Sequence, residues 1–253
     1  ITGTAVGTYN SKDVASASSV TFSGLSLNNS NYSLTLQSPR AATITAKALT
    51  FSGITIPSSK VYDGTTSAAI SGTATLLSDQ AAGSGTTTDG KPYTGDTVAI
   101  TGTAVGTYNN KNVASATSVT LSGLSLNNSN YSLTIPSPTS ATITPKALTM
   151  SGLTVPASKV YNGTTAAAVS GTPVLLSAEA AGSGSTADGK PYTGDSVTIT
   201  GTAVGTYNSK DVASASSVMF SGLSLNNSNY SLTLQSPAAA TITPKALTIS
   251  GLS

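Results

Sequence analysis

The chain has 253 residues, 8% of them charged and 5% aromatic, and Ser and Thr are its two commonest residues. With 11 basic and 9 acidic side chains, the net charge of +2 is too small and too scattered to neutralise a run of phosphates or to hold an anionic membrane surface. There is no His and no Cys, which removes the commonest general base, the commonest metal ligands and all thiol chemistry, so no enzyme, cofactor or metal site is expected.

The decapeptide starting at Ile1 returns at Ile100 and Ile199, a period of 99 residues. Length therefore means about two and a half copies of one unit. The joint falls most naturally at the run Ala-Thr-Ile-Thr-Pro-Lys, present from Ala141 and from Ala240, with Ala46 in place of proline in the first copy. The expected domains are a partial repeat 1–46, complete repeats 47–145 and 146–244, and the start of another at 245–253. No apolar run approaches the ~18 residues that cross a bilayer as a helix, so no membrane is expected within this segment. The chain reads as a window cut from a longer array, with any export signal or anchor outside it.

In one period, Leu49, Phe51, Ile54 and Ile56 alternate with hydroxyl residues, which predicts a strand with one buried face. Gly53 interrupts the alternation and marks a bulge. After Pro57 comes Lys60-Val61-Tyr62-Asp63-Gly64, matched by Lys159-Val160-Tyr161-Asn162-Gly163, and Asp-Gly and Asn-Gly both favour a tight turn. A strand over 70–77, a long Gly/Thr/Ser excursion over 78–95, and strands over 97–105, 113–126, 131–135 and 141–144 complete the unit. That gives six to eight strands per period, and the Ala-rich stretches 79–82 and 178–181 are the only places where a helical turn is expected. Punctuated strands in a unit of this size predict an all-β fold of tandem immunoglobulin-like β-sandwich domains. Pro145-Lys146 and Pro244-Lys245 would form stiff joints, giving an extended rod in which two complete domains of ~40 Å span roughly 80 Å.

The Lys-Val-Tyr-Asp-Gly-Thr-Thr stretch, with Asn130-Tyr131 and the closing Ile143-Thr-Pro-Lys146 and their counterparts 99 residues on, resembles the YDG-type repeats, related to MBG-type repeats, of very large bacterial surface proteins. The resemblance covers the whole chain. It implies an extracellular location on the bacterial cell surface, tandem β-sandwich modules of haemagglutinin-like adhesins, and no catalytic residue. The function it implies is a structural stalk that holds a terminal binding region away from the cell.

The copies also test one another. Asp63 is replaced by Asn162 and Gln80 by Glu179, so neither position needs a carboxylate in every copy. The acids kept in both complete copies are Asp89 with Asp96 and Asp188 with Asp195, which bracket Tyr93 and Tyr192 respectively. A hairpin shaped by Gly90, Pro92 and Gly95 is the favoured reading, and a weak ligand loop over 78–95 and 177–194 is the alternative. The expected partners are neighbouring repeats, with host or surface glycans and other copies in a self-assembling fibre as rivals. No sequence signal pairs an acid with the ten recurring lysines, so solvated lysines are expected.

Overall fold

The computed structural model describes residues 1–251. Those residues carry twenty-two strands and no helix. Ten strands lie between Lys47 and Thr144, more than alternation suggests, because two-residue pieces such as Ser67–Ala68 and Thr139–Ser140 are too short to carry a period. The expected helical turns at 79–82 and 178–181 are absent. Gln80 is instead held extended by hydrogen bonds with Pro92 and Thr94, and Glu179 likewise with Pro191 and Thr193.

Close packing divides the chain into two units whose membership does not follow the 99-residue period. Unit 1 takes residues 1–56, 69–106 and 120–139, and unit 2 takes 57–68, 107–119 and 140 onward. In unit 1, Thr2–Tyr9 pairs antiparallel with Ser19–Ser26, and Phe51–Thr55 with Ser71–Leu76. The strand Lys47–Leu49 pairs parallel with Tyr131–Leu133.

Unit 2 is organised around Lys146–Thr154, which pairs antiparallel with Ser170–Leu175 on one side and parallel with Tyr230–Thr233 on the other. The alternation that predicts this strand is visible in its burial: Lys146, Leu148 and Met150 point inward, and Leu153 joins them after a shift of phase. That shift is the bulge between Ser151 and Leu153, where Gly152 has φ +96°, a region closed to residues with a Cβ. Met150, Leu153 and Phe220 form one core cluster, and Tyr207, Ala215, Val218, Ala240 and Ile242 another. The unit also holds two further parallel pairs, Ser59–Val61 with Thr142–Thr144 and Ser158–Val160 with Thr241–Thr243, and an antiparallel sheet in which Ile199–Tyr207 pairs with Ser217–Leu225. Parallel pairing needs a long connection, so the opening strands of a period lie beside its closing ones.

Candidate functional site

The Lys-Val-Tyr-Asp-Gly turn is fixed locally. The backbone N–H of Tyr62 donates to Thr144 at 2.8 Å, continuing the strand pair beyond Val61. Asp63 Oδ1 then accepts from the Thr65 backbone N–H and hydroxyl, both at 2.9 Å, and from Lys60 Nζ at 2.6 Å. Lys60 also donates to the carbonyls of Thr65 and Ser67, so one ammonium ties the turn to the next strand. Asn162 Oδ1 accepts from Thr164 and Lys159 in the same way, because the turn uses only an acceptor oxygen.

In unit 2 this turn delivers Tyr62 into a socket, where the side chain is 0% exposed. Its ring meets Tyr230 edge-on at 5.3 Å and Tyr192 at 5.9 Å. Its hydroxyl donates to Asp195 Oδ2 at 2.7 Å, and the Tyr230 hydroxyl donates to the same oxygen at 2.7 Å. Lys111 Nζ lies 3.5 Å from the other carboxylate oxygen. The Asp63 carbonyl accepts from the Gly182 N–H at 2.8 Å, and a Cβ on Gly64 would sit 2.7 Å from the Ala181 methyl. Burial works to raise Asp195, but hydrogen bonds from Tyr230 and Tyr62, with Lys111 beside them, hold its carboxyl below the usual range. Burial first, and then the Asp195 carboxylate, push the Tyr62 and Tyr230 hydroxyls up. The socket therefore holds an anion and two neutral phenols at neutral pH. This arrangement grips a side chain.

Unit 1 builds the same socket 99 residues earlier. Tyr131 donates to Asp96 Oδ2 at 2.7 Å, the Tyr93 N–H donates to the Tyr131 hydroxyl at 3.0 Å, and Lys12 Nζ lies 3.2 Å from Asp96 Oδ1. Unit 1 has a cavity of ≈ 520 Å³ lined by Lys12, Ile44, Ala82, Tyr93, Asp96 and Tyr131 among others. Tyr93 is half-buried, whereas Tyr192 is 2% exposed.

The sequence profile described as the YDG domain matches residues 45–141 and 144–241. The chain belongs to the YDG-domain family. No curated protein matches the chain, and no solved structure does.

The YDG repeats also bury lysines, a correction to the expectation that these side chains are solvated. Lys146, beside exposed Pro145, is 0% exposed, with Nζ 2.8 Å from Glu179 and 3.0 Å from Asp188, and it lies 4.0 Å above the Tyr192 ring. Lys47 repeats the arrangement with Asp89 at 2.9 Å and Tyr93 at 4.1 Å. There Gln80 stands where Glu179 does and donates to Asp89 at 2.7 Å. Burial lowers Lys146, and Glu179 and Asp188 more than reverse this, so its ammonium is held above the ordinary value. The alternation already carries the signal, since Lys47 and Lys146 occupy the inward phase of their strands. The candidate loop acids thus divide by role: Asp89 and Asp188 hold the strand lysine, while Asp96 and Asp195 hold tyrosine hydroxyls. Pro244 and Lys245 are exposed.

Asn229 is a site residue that spacing alone does not single out. Its Oδ1 accepts from the Val113 N–H at 2.9 Å and its Nδ2 donates to Asn112 at 2.9 Å. In unit 1, Asn130 does the same with Val14 at 2.8 Å and Asp13 at 2.7 Å. The Asp-to-Asn exchange at this position is accommodated because the partner needs only an acceptor. Among the described residues no group of three acids is placed to hold a metal ion.

Proposed function

We propose that this chain is a structural stalk segment of a large bacterial cell-surface adhesin, built from immunoglobulin-like β-sandwich repeats related to the MBG type and set end to end as a rod. One observation supports this reading above the others. Tyr62, inside the first YDG match, is buried against Tyr192, Asp195 and Tyr230 of the second. A repeat that inserts a side chain into the core of the next ties the two together without a flexible tether, which suits a part that must hold a distance under load. The low charge suits the same role, because little of the fold depends on attractions that salt screens.

The test has two arms. Antibodies raised against the repeats should label intact cells, and pulling on the chain should show that Tyr62→Ala lowers the unfolding force. Labelling that appears only after lysis, or a force indifferent to Tyr62, would sink the reading. A second reading, a glycan-binding module, draws on Tyr93 and Asp96 facing the unit 1 cavity. It requires glycan binding that Tyr93→Ala abolishes.

A further inference from the structure

Lys146 opens its strand with the side chain fully buried, and two carboxylates stand against its ammonium, Glu179 Oε1 at 2.8 Å and Asp188 Oδ1 at 3.0 Å. The Tyr192 ring, itself 2% exposed, covers the site 4.0 Å from Nζ. One carboxylate would be enough to pair the charge. The two acids also lie within hydrogen-bonding reach of each other, so the site brings together an amine, a carboxyl group and a second carboxyl that can carry protons between them.

Asp188 is held from the backbone as well. Its Oδ1 accepts from the Lys190 N–H at 3.0 Å and its Oδ2 from the Ser185 N–H at 3.3 Å, and fixed donors of this kind stabilise the negative charge that builds on carboxyl oxygens when the carbon is attacked. In the first repeat, Lys47 and Asp89 keep the same contact at 2.9 Å, but Gln80 takes the place of the second acid. An amide cannot shuttle protons as a carboxyl does.

We propose that Lys146 and Asp188 condense into an amide within the folded chain, with Glu179 as the proton carrier, so that the second repeat ties its opening strand to its long loop by a covalent bond. The reaction balances without a co-reactant. One ammonium proton passes to Asp188, the freed Nζ lone pair forms the Nζ–Cγ bond, Glu179 moves a second proton from nitrogen to the departing hydroxyl, and the Cγ–O bond breaks to release water. Ammonium and carboxylate become amide and water, and Glu179 ends as it began. The ammonium is favoured in the ion pair, which makes the step slow. Two effects offset this. Groups held in contact react as if at concentrations of about 10⁵–10⁸ M, and the product removes two charges from a site where burial penalises them. The ion pair is thus the starting state of a reaction that each molecule completes once. Nothing in the inference depends on the stalk reading, so its failure leaves the cell-labelling and pulling results intact.

The experiment measures the intact mass of the folded 253-residue chain, incubated until that mass is constant, and then maps the joined residues by proteolysis and fragmentation. The expected result is a chain one water lighter than its sequence, a branched peptide joining Lys146 to Asp188, and an unmodified Lys47. Glu179→Gln should restore the full mass, and it copies Gln80, a side chain that the first repeat already accommodates at this place. Circular dichroism checks that this variant folds, and the unsubstituted chain decides by itself whether the bond forms. A full sequence mass, a lost water that maps elsewhere such as the Asp63-Gly64 turn, an amide on Glu179, or an undiminished loss in folded Glu179→Gln overturns the proposal.

Discussion

Tyr62 donates a 2.7 Å hydrogen bond to Asp195, a residue 133 positions further along the chain. The carboxylate that receives it is also engaged by Tyr230 and faced by Lys111. Tyr62 packs its ring against Tyr192, which is 2% exposed.

The hydroxyl and the ring of Tyr62 are separable. Tyr62→Phe keeps the ring contacts and removes a hydrogen bond to a charged group, and it should destabilise unit 2 by about 1.5–3 kcal/mol. Tyr62→Ala should cost about 3–5 kcal/mol, as for other buried aromatic residues. Tyr161→Ala, at a partly exposed ring, should cost clearly less. Urea unfolding of the three variants checks this, and equal losses at Tyr62 and Tyr161 would remove the socket's importance.

At the turn itself the carboxylate is expendable and the glycine is not. Asp63→Asn should change stability by no more than ~0.5 kcal/mol, since Asn162 makes the same bonds in the other copy. Gly64 and Gly163 have nearly the same φ, +79° and +80°, but only Gly64 has the Ala181 methyl against it. Valine at either site is strained by about 1–3 kcal/mol, and Gly64→Val should cost at least ~1 kcal/mol more than Gly163→Val because it also overpacks. Thermal midpoints of the two valine variants decide the matter.

Lys146 neutralises two carboxylates and Lys47 one. Replacing a single partner of a buried ion pair strands the other charge, at about 3–5 kcal/mol. Lys146→Met should therefore fall in that range and Lys47→Met below it. Gln80→Glu, which copies Glu179 into the first repeat, should widen the penalty of Lys47→Met in a double-mutant cycle. An unchanged penalty would mean that the second carboxylate does not couple to the lysine.

Stability should be flat across neutral pH and fall at both extremes. Asp89, Asp96, Asp188 and Asp195 are all held below the usual carboxylate range, for Asp89 chiefly by Lys47 and for Asp188 chiefly by the Lys190 backbone N–H. Their contribution is complete above the unfolded value of about 3.9 and is lost as pH falls through the lower folded values. Lys146 is held high, so its contribution is complete below about 10.4 and is lost as pH rises through the folded value. With no histidine in the chain, no step is expected between these limits. Midpoints measured from pH 2 to 11 should show this profile, with Asp195→Asn softening the acid limb. A transition near pH 6 would contradict it.

The strand pattern and its glycine interruptions were legible because both are local. Period-2 burial of Leu148 and Met150, and the phase shift at Gly152, follow from sequence and sterics alone. The lysine sites were half legible. Lys146 sits in phase with Leu148, but its acids lie in a Gly/Ser-rich stretch that reads as solvated loop. The socket was not legible, because its parts come from residues 62, 111, 182, 192, 195 and 230, and no spacing rule links positions so far apart. The Tyr62, Tyr131 and Tyr230 hydroxyls are held by hydrogen bonds, while the buried Tyr108 hydroxyl has no partner among the described residues.

The long reach from Tyr62 to Asp195 also sets a clock. A chain made at roughly 5–20 residues per second needs about 7–27 s to synthesise the 133 residues between them. For that interval the tyrosine has been made and its carboxylate has not. Each repeat therefore places Tyr62 only after about half of its successor exists, and the seam between finished and unfinished structure travels along the chain behind synthesis.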